Sequence, residues 1–417
     1  MRKLVRVVKW ALLGCCILLV IFFIAFPGQV ISLAQRVGDL FVKPVPLVFS
    51  GDSTDLQQTV VFPTLDTPIV PGKNIVWCST MQMAWNELKD KLAKGPVQIS
   101  KSQEVADRLN NSPYVAQDAP EGSWYAVAGM DIENEVRRQM AKRFPTIELP
   151  DFPAGPLLAF AALEVDVAFL HRYSDLQKPL QFKSADGNVS PVRAFGLSET
   201  DNLSVMARYQ AKVLYNSSRY LTSTPEEFVL ELCVHDQVQV VIAHIPLMST
   251  LSDTVEEVAT MADEFSQWRK EVVVRRLKEE INRSTDPVER QKELETVEHY
   301  AHPMDLLSQD TLAIPATNWR LAHRFSELER TVLLNENVKG VPIELVLQTI
   351  DFRMDRTGTR VKSIAAIAAG TAPVIGRAPI PQHYVVDGPF MIMMKKRNCE
   401  RPFFVMWVDN AELLCPF

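Results

Sequence analysis

Between positions 350 and 355 apolar and polar residues alternate strictly, with Ile350, Phe352 and Met354 set against Asp351, Arg353 and Asp355. A period of two predicts a strand with one buried face. The run Pro389, Phe390, Met391, Ile392, Met393, Met394 predicts a second, fully apolar strand. Between them lies a long connection of small and apolar residues (Ser363, Ala365, Ala366, Ala368, Ala369, Gly370, Thr371), interrupted by Pro373, Pro379 and Pro381. Connections longer than about 12–15 residues are usually functional or disordered. Alanine and β-branched residues are a poor recipe for disorder.

Upstream, residues 81–92 have helical spacing and 132–144 read as a charged amphipathic helix. The nearly continuous apolar run at 157–169 predicts a strand buried on both faces. Asp253, with Glu256 three residues on, predicts a capping box for a helix starting near Thr254. That helix continues to about residue 283, and 286–299 reads as a second charged helix with a solvated face.

Residues 10–26 contain neither charge nor proline. At about 1.5 Å per residue they reach about 26 Å, near the lower limit for crossing a bilayer. Arg2, Lys3, Arg6 and Lys9 precede them, which predicts a cytoplasmic N-terminus and an exported body. The competing reading is a cleaved signal peptide with Ser32-Leu33-Ala34 as its cleavage site, which would make the body a secreted one. Prolines scattered through 27–62 read as a stalk with a soft boundary, since 38–49 has the makings of a short packed segment. The expected organisation is a basic segment at 1–9, an anchor at 10–26, a stalk at 27–62 and one domain at 63–417 with a helical insertion at about 254–300.

The chain is 47% hydrophobic and 23% charged, a globular composition, and its net charge of −6 gives no reason to expect a nucleic-acid partner. Four cysteines, Cys78, Cys233, Cys399 and Cys415, fall in the body. The first two sit in apolar contexts and read as buried thiols. The last two flank a C-terminal strand, and whether they pair is left open. No CxxC pair, HExxH, GxSxG, Walker loop or GxGxxG occurs. His299 and His302 lie three apart without a third ligand nearby, so neither a metal nor a cofactor is expected, and no catalytic pair stands out.

The segments DRTGT (355–359), IPQHYVVDGPFMIMM (380–394) and FFVMWVDNAE (403–412) resemble the C-terminal end of the serpins. Residues 311–315 (TLAIP) and the following 318–334 look like that family's leucine-proline strand and the helix after it. Residues 228–246 look like its paired central strands, 182–192 like its phenylalanine and aspartate-glycine turn, and 74–85 like its asparagine-led strand end and first buried helix. The resemblance covers roughly 63–410. It implies an α+β fold of large mixed and antiparallel sheets, about eight or nine helices and an exposed reactive loop.

The resemblance also implies a function. In that family a protease cleaves the bait loop and stays attached as an acyl-enzyme while the freed loop enters the main sheet as a new strand. The partner implied here is a serine or cysteine protease outside the cytoplasm, periplasmic or extracellular, met by a non-enzymatic monomer. A non-inhibitory binding module on the same fold is the alternative. The hinge would comprise Gly358, Thr359, Arg360, Val361, Ser363 and Ala365. If Thr359 is the first inward residue, Val361, Ser363, Ala365 and Ile367 follow it and none is charged. Buried charge at those positions would cost several kcal/mol. About 20 inserted residues at about 3.3 Å each would span roughly 65 Å. Arg377-Ala378 is the candidate scissile bond, with Ala372-Pro373 as the alternative.

The chain departs from the family pattern at several places. Arg360-Val361-Lys362 replaces a glutamate and alanines, and Gln348 replaces a histidine. Cys78-Ser79 replaces a serine-proline, and Leu170-His171-Arg172-Tyr173 stands where a tryptophan is usual.

Overall fold

A computed structural model describes residues 45–147, 149, 152, 157–198, 205–219, 221–233, 237–281, 304–306, 309–359 and 380–417. In chain order the first part supplies β1 (Phe49–Asp52), β2 (Thr59–Val61), β3 (Asn74–Cys78), α1 (Thr80–Glu87), α2 (Gln103–Asn111), β4 (Trp124–Met130) and α3 (Glu133–Arg143). Then come β5 (Leu157–Leu163), β6 (Val167–Ala168), β7 (Ser174–Asp175), β8 (Leu180–Lys183), β9 (Val189–Val192), β10 (Ala194–Leu197) and the single turn α4 (Val205–Arg208). The middle holds β11 (Lys212–Asn216), β12 (Phe228–Glu231), β13 (Val238–His244), α5 (Leu251–Ile281), β14 (Met304–Asp305), β15 (Thr311–Pro315) and β16 (Thr317–Arg324). The end contributes β17 (Thr331–Val332), β18 (Pro342–Ile343), β19 (Leu347–Asp355), β20 (Gly358–Thr359), β21 (His383–Val385), β22 (Phe390–Lys396) and β23 (Pro402–Val408).

The apolar C-terminal runs form the middle of an eight-stranded sheet ordered β14-β11-β12-β13-β22-β23-β3-β2. Every residue of β23 is buried, as is Phe390–Met394 of β22, which is why those runs show no alternation. A five-stranded sheet, β1-β16-β19-β20-β6, lies against it. Phe352 of β19 stacks on Phe404 of β23 with ring centres 4.5 Å apart, and Trp319 of β16 adds a third ring at 5.6 Å from Phe352. A four-stranded sheet ordered β21-β15-β10-β7 and the β8–β9 hairpin complete the sheets around the C-terminal strands.

The α+β class with several sheets is as expected. The period-two strand at 350–355 runs Leu347–Asp355, with Ile350, Phe352 and Met354 buried. Residues 228–246 form an antiparallel pair and 182–192 the hairpin. Helix α3 matches the amphipathic pattern at 132–144.

Other expectations need correcting. Four α-helices longer than one turn occur among the described residues, fewer than eight or nine. Residues 318–324, read as part of a helix, lie in strand β16. Trp319 and Leu321 alternate into the interior, and pairing to β19 along all eight residues decides the matter. The strand expected to be buried on both faces at 157–169 ends at Leu163 and is only half-buried, because an open groove runs beside it. Helix α5 starts three residues before Thr254: the Thr250 hydroxyl accepts from the Asp253 amide at 3.0 Å, so Thr250 takes the capping role.

The compact unit begins at Pro46, within the stretch read as a stalk, since β1 and β2 lie inside 27–62. Cys78, Cys233, Cys399 and Cys415 are all free thiols, so Cys399 and Cys415 are not joined. Among the described residues no helix is long and apolar enough to cross a membrane. The apolar run at 10–26 and the second charged helix at 286–299 lie outside the described residues.

Candidate functional site: an unfilled strand position

Strand β19 pairs with β16 along one edge through eight residues, Leu347 to Met354. On its other edge the ladder consists of Met354 and Asp355 alone, paired with Thr359 and Gly358 of β20. Strand β5 is similar: β4 covers one edge from Leu157 to Leu163, and no strand among the described residues pairs with the other. These two edges face each other across a cavity of about 350 Å³. Ala159, Ala161 and Leu163 line one wall, Gln348, Ile350 and Phe352 the other, and Met81, Ala84 and Trp85 of α1 form the floor. Backbone amides and carbonyls along a strand edge demand partners. Among the described residues both edges lack strand partners along the groove.

The upper end of the groove is already closed by β20, which pairs on its far side with β6 through Gly358–Ala168 and Thr359–Val167. The turn that delivers β20 is fixed by Asp355, whose carboxylate accepts from the Thr357 amide at 2.8 Å and from its hydroxyl. This is why Asp355 is buried although the alternation puts it on the polar side. Further bonds run from the Phe169 amide to the Thr357 carbonyl (3.0 Å) and from the Tyr173 amide to the Arg356 carbonyl (3.1 Å). Gly358 has φ +146°, and a Cβ there would stand 2.2 Å from the Val167 carbonyl oxygen. Only glycine serves at that point.

Beneath the groove, Gln348 donates to the Cys78 carbonyl at 2.9 Å and to the Thr80 hydroxyl at 2.7 Å. The substituted positions Cys78, Ser79 and Gln348 thus meet at the start of α1. The Gln348 side-chain oxygen is buried and has no partner. Burial raises the Cys78 thiol above its ordinary range.

At the top, Tyr173 occupies the region for which the missing tryptophan was noted. It donates from its hydroxyl to the Leu232 carbonyl at 2.7 Å and packs its ring on Phe169 and Phe195. Its role was not visible in the sequence, where only its aromatic character hints at it. His171 is held below its ordinary pKa by burial.

The far end of the connection returns at Ile380 and is pinned at Gln382, which is fully buried. Its amide donates to the Asp310 carboxylate at 2.8 Å, its side-chain nitrogen to the Thr222 and Ile380 carbonyls, and its oxygen accepts from Asn216 at 3.0 Å.

Of the expected site residues, Gly358 and Thr359 are brought together with β19 and β6. Arg360, Val361, Ser363, Ala365, Ala372, Pro373, Arg377 and Ala378 lie outside the described residues. Among the described residues no group of three His, Cys, Asp or Glu side chains has the arrangement of a metal site.

No family model and no curated protein matches this chain. Solved structures do. Serpin48 of the insect Tenebrio molitor, described as a highly specific serpin, is 14% identical at a TM-score of 0.35, over 80% of this chain and 92% of that one. AtSerpin1 of Arabidopsis, in its native stressed conformation, is 11% identical at 0.45, over 82% and 93%. Thyroxine-binding globulin in complex with thyroxine is 10% identical at 0.43, over 82% and 94%.

Proposed function

We propose that the chain is a serpin-like, non-enzymatic inhibitor of a serine or cysteine protease outside the cytoplasm, acting by bait-loop cleavage and insertion. The observation that carries this reading is the strand position between β5 and β19 that no described strand fills and whose upper end β20 already occupies. The segment entering the groove is the first stretch of the 20-residue connection, 360–379, between Thr359 and Ile380.

The register makes the reading specific. Thr359 lies opposite Met354, and continuing rung by rung puts Val361 across from Phe352, Ser363 from Ile350 and Ala365 from Gln348. Facing residues in a ladder share a side of the sheet, so the uncharged set turns inward with the buried face of β19. On the β6–β5 side the same count ends at Ala369 across from Leu157. Pro373 then falls beyond the end of the groove, so its missing amide costs the inserted strand no ladder bond.

Chemically, the protease's hydroxyl or thiolate attacks the scissile carbonyl, with Arg377-Ala378 favoured and Ala372-Pro373 as the alternative. The amide C–N bond breaks, the new amino terminus leaves with a proton, and an ester or thioester holds the protease to the loop. Filling the groove satisfies two strand edges at once and buries apolar side chains, which is the driving force.

A non-inhibitory binding module is the second reading. It is favoured by the same register, which sets Arg360 directly across from Arg353, a like-charge pair that opposes entry of the second loop residue. The run at 10–26 supports a membrane anchor for the folded body in either case.

Incubation of the soluble body with trypsin-like and elastase-like proteases tests the choice. A covalent adduct that survives SDS, together with a rise in melting temperature after loop cleavage, supports inhibition. Cleavage with no adduct and no rise rejects it in favour of the binding module.

A further inference from the structure

Strand β1 is the outermost strand of the five-stranded sheet, running parallel to β16 with Phe49 opposite Trp319 and Asp52 opposite Ala322. The Val48 amide extends that ladder to the Asn318 carbonyl at 2.8 Å. Six residues later the chain has crossed to the other sheet, where β2 runs parallel to β3. The crossing has no slack. Residues Ser53–Asp55 are wound into a 3-10 turn capped by Asp52, which accepts from the Thr54 amide at 2.9 Å. Buried Ser53 pairs its hydroxyl with His323 Nδ1 at 2.7 Å. The Glu412 carboxylate then accepts from the amides of Gln57 (2.7 Å) and Gln58 (2.9 Å) and from the Thr59 hydroxyl (2.7 Å).

We propose that residues 48–59 are a strap that clamps the β16–β19 wall of the groove to the eight-stranded sheet. A strand seated in the groove needs its two walls held about two strand spacings, roughly 9.6 Å, apart. The β16–β19 wall is held in place by the 3-10 turn and the Glu412 bonds of the strap, alongside the bonds from the Thr317 hydroxyl to the Leu413 carbonyl and from the Cys415 amide to the Ala316 carbonyl. The opposite wall is tied differently. Helix α3 packs Val136, Met140 and Phe144 on Ala162 and Phe160 of β5, so α3, β4 and β5 carry an apolar cluster of their own and can shift together. His323 stands directly across the β16–β19 ladder from Gln348, so the strap reaches the wall at the level where Gln348 grips Cys78 and Thr80. The strap sets how far the β16–β19 wall can move, and any pull on the chain before Pro46 acts on that wall through β1.

This inference rests on the groove described above, and not on the loop entering it. The test is amide hydrogen exchange on the uncut, full-length protein and its Ser53→Ala and Glu412→Gln variants. Either substitution should speed exchange at least tenfold in both β16 and the 347–353 part of β19, with β12 and β13 unchanged. Acceleration confined to residues 48–59, in either variant that folds, overturns the strap. A second arm follows the melting temperature after loop cleavage. Faster stabilisation in the variants agrees with the strap, whereas no stabilisation in any form overturns insertion and leaves the exchange result to stand alone.

Discussion

Thr359 lies directly across from Met354, on the buried side of a ladder only two rungs long. That one pairing fixes the parity of every residue that could follow Thr359 into the groove. It also leaves the Thr359 hydroxyl buried without a partner, a cost carried by the closed form of the hinge.

Substituting Ser363→Glu should therefore separate cleavage from inhibition. On insertion, the Thr359–Met354 register carried on rung by rung would bring position 363 opposite Ile350, inside the sheet. Burying an unpaired carboxylate there costs several kcal/mol. Cleavage rate should hold while the SDS-stable adduct falls at least tenfold. The outward control Lys362→Gln, across from Asp351, should lose far less adduct. Equal losses for both would count against the register.

Gly358→Val should destabilise the hinge. The new Cβ would collide with the Val167 carbonyl, and the φ of +146° is one that branched residues avoid. A cost of about 1–3 kcal/mol is expected. It would be read as a lower urea midpoint with an unchanged slope. An unchanged midpoint would mean that β20 is not held between β19 and β6.

Acid should weaken the fold before carboxylates matter. Burial pushes His171, His244 and His323 below their ordinary value of 6.5, with Asp52 pulling His323 partly back. The unfolded chain then binds protons that the folded one refuses, so this contribution is complete above about pH 6.5 and is lost as pH falls below it. The melting temperature should drop between pH 7.5 and 5.5. His323→Gln, which keeps a hydrogen-bonding group near Ser53, should flatten part of that drop. A flat wild-type profile would remove the premise.

Thiol labelling should be selective. Cys78, Cys233 and Cys415 are buried and their thiols are pushed up, Cys415 to about 12, whereas Cys399 is half-exposed. Since the thiolate is the reactive form, Cys399 should label first among these four and the others only on unfolding. Labelling of Cys78 in the native protein, followed by mass spectrometry, would instead report an opening of the groove floor.

The strand at 350–355 was legible because parity is local: alternate residues of one strand choose opposite faces whatever lies beyond them. Gly358 and Thr359 were singled out by the family resemblance, since the alternation stops at Gly358. The 318–334 segment was not legible, since Leu321, Phe325 and Leu328 recur at helical spacing, and pairing with β19 made 317–324 a strand. The prolines of 27–62 masked the strap, because four residues of β1 carry too little pattern to announce a strand.

By itself the sequence determined which side chains a strand at 350–355 buries, namely Ile350, Phe352 and Met354. Only the tertiary structure decided that a groove exists. Its walls are residues 157–163 and 347–353, far apart in the chain, and backbone hydrogen bonds between strands leave no trace in the identity of the residues that make or lack them. An unfilled edge is a property of the assembled sheet, and no single strand encodes it.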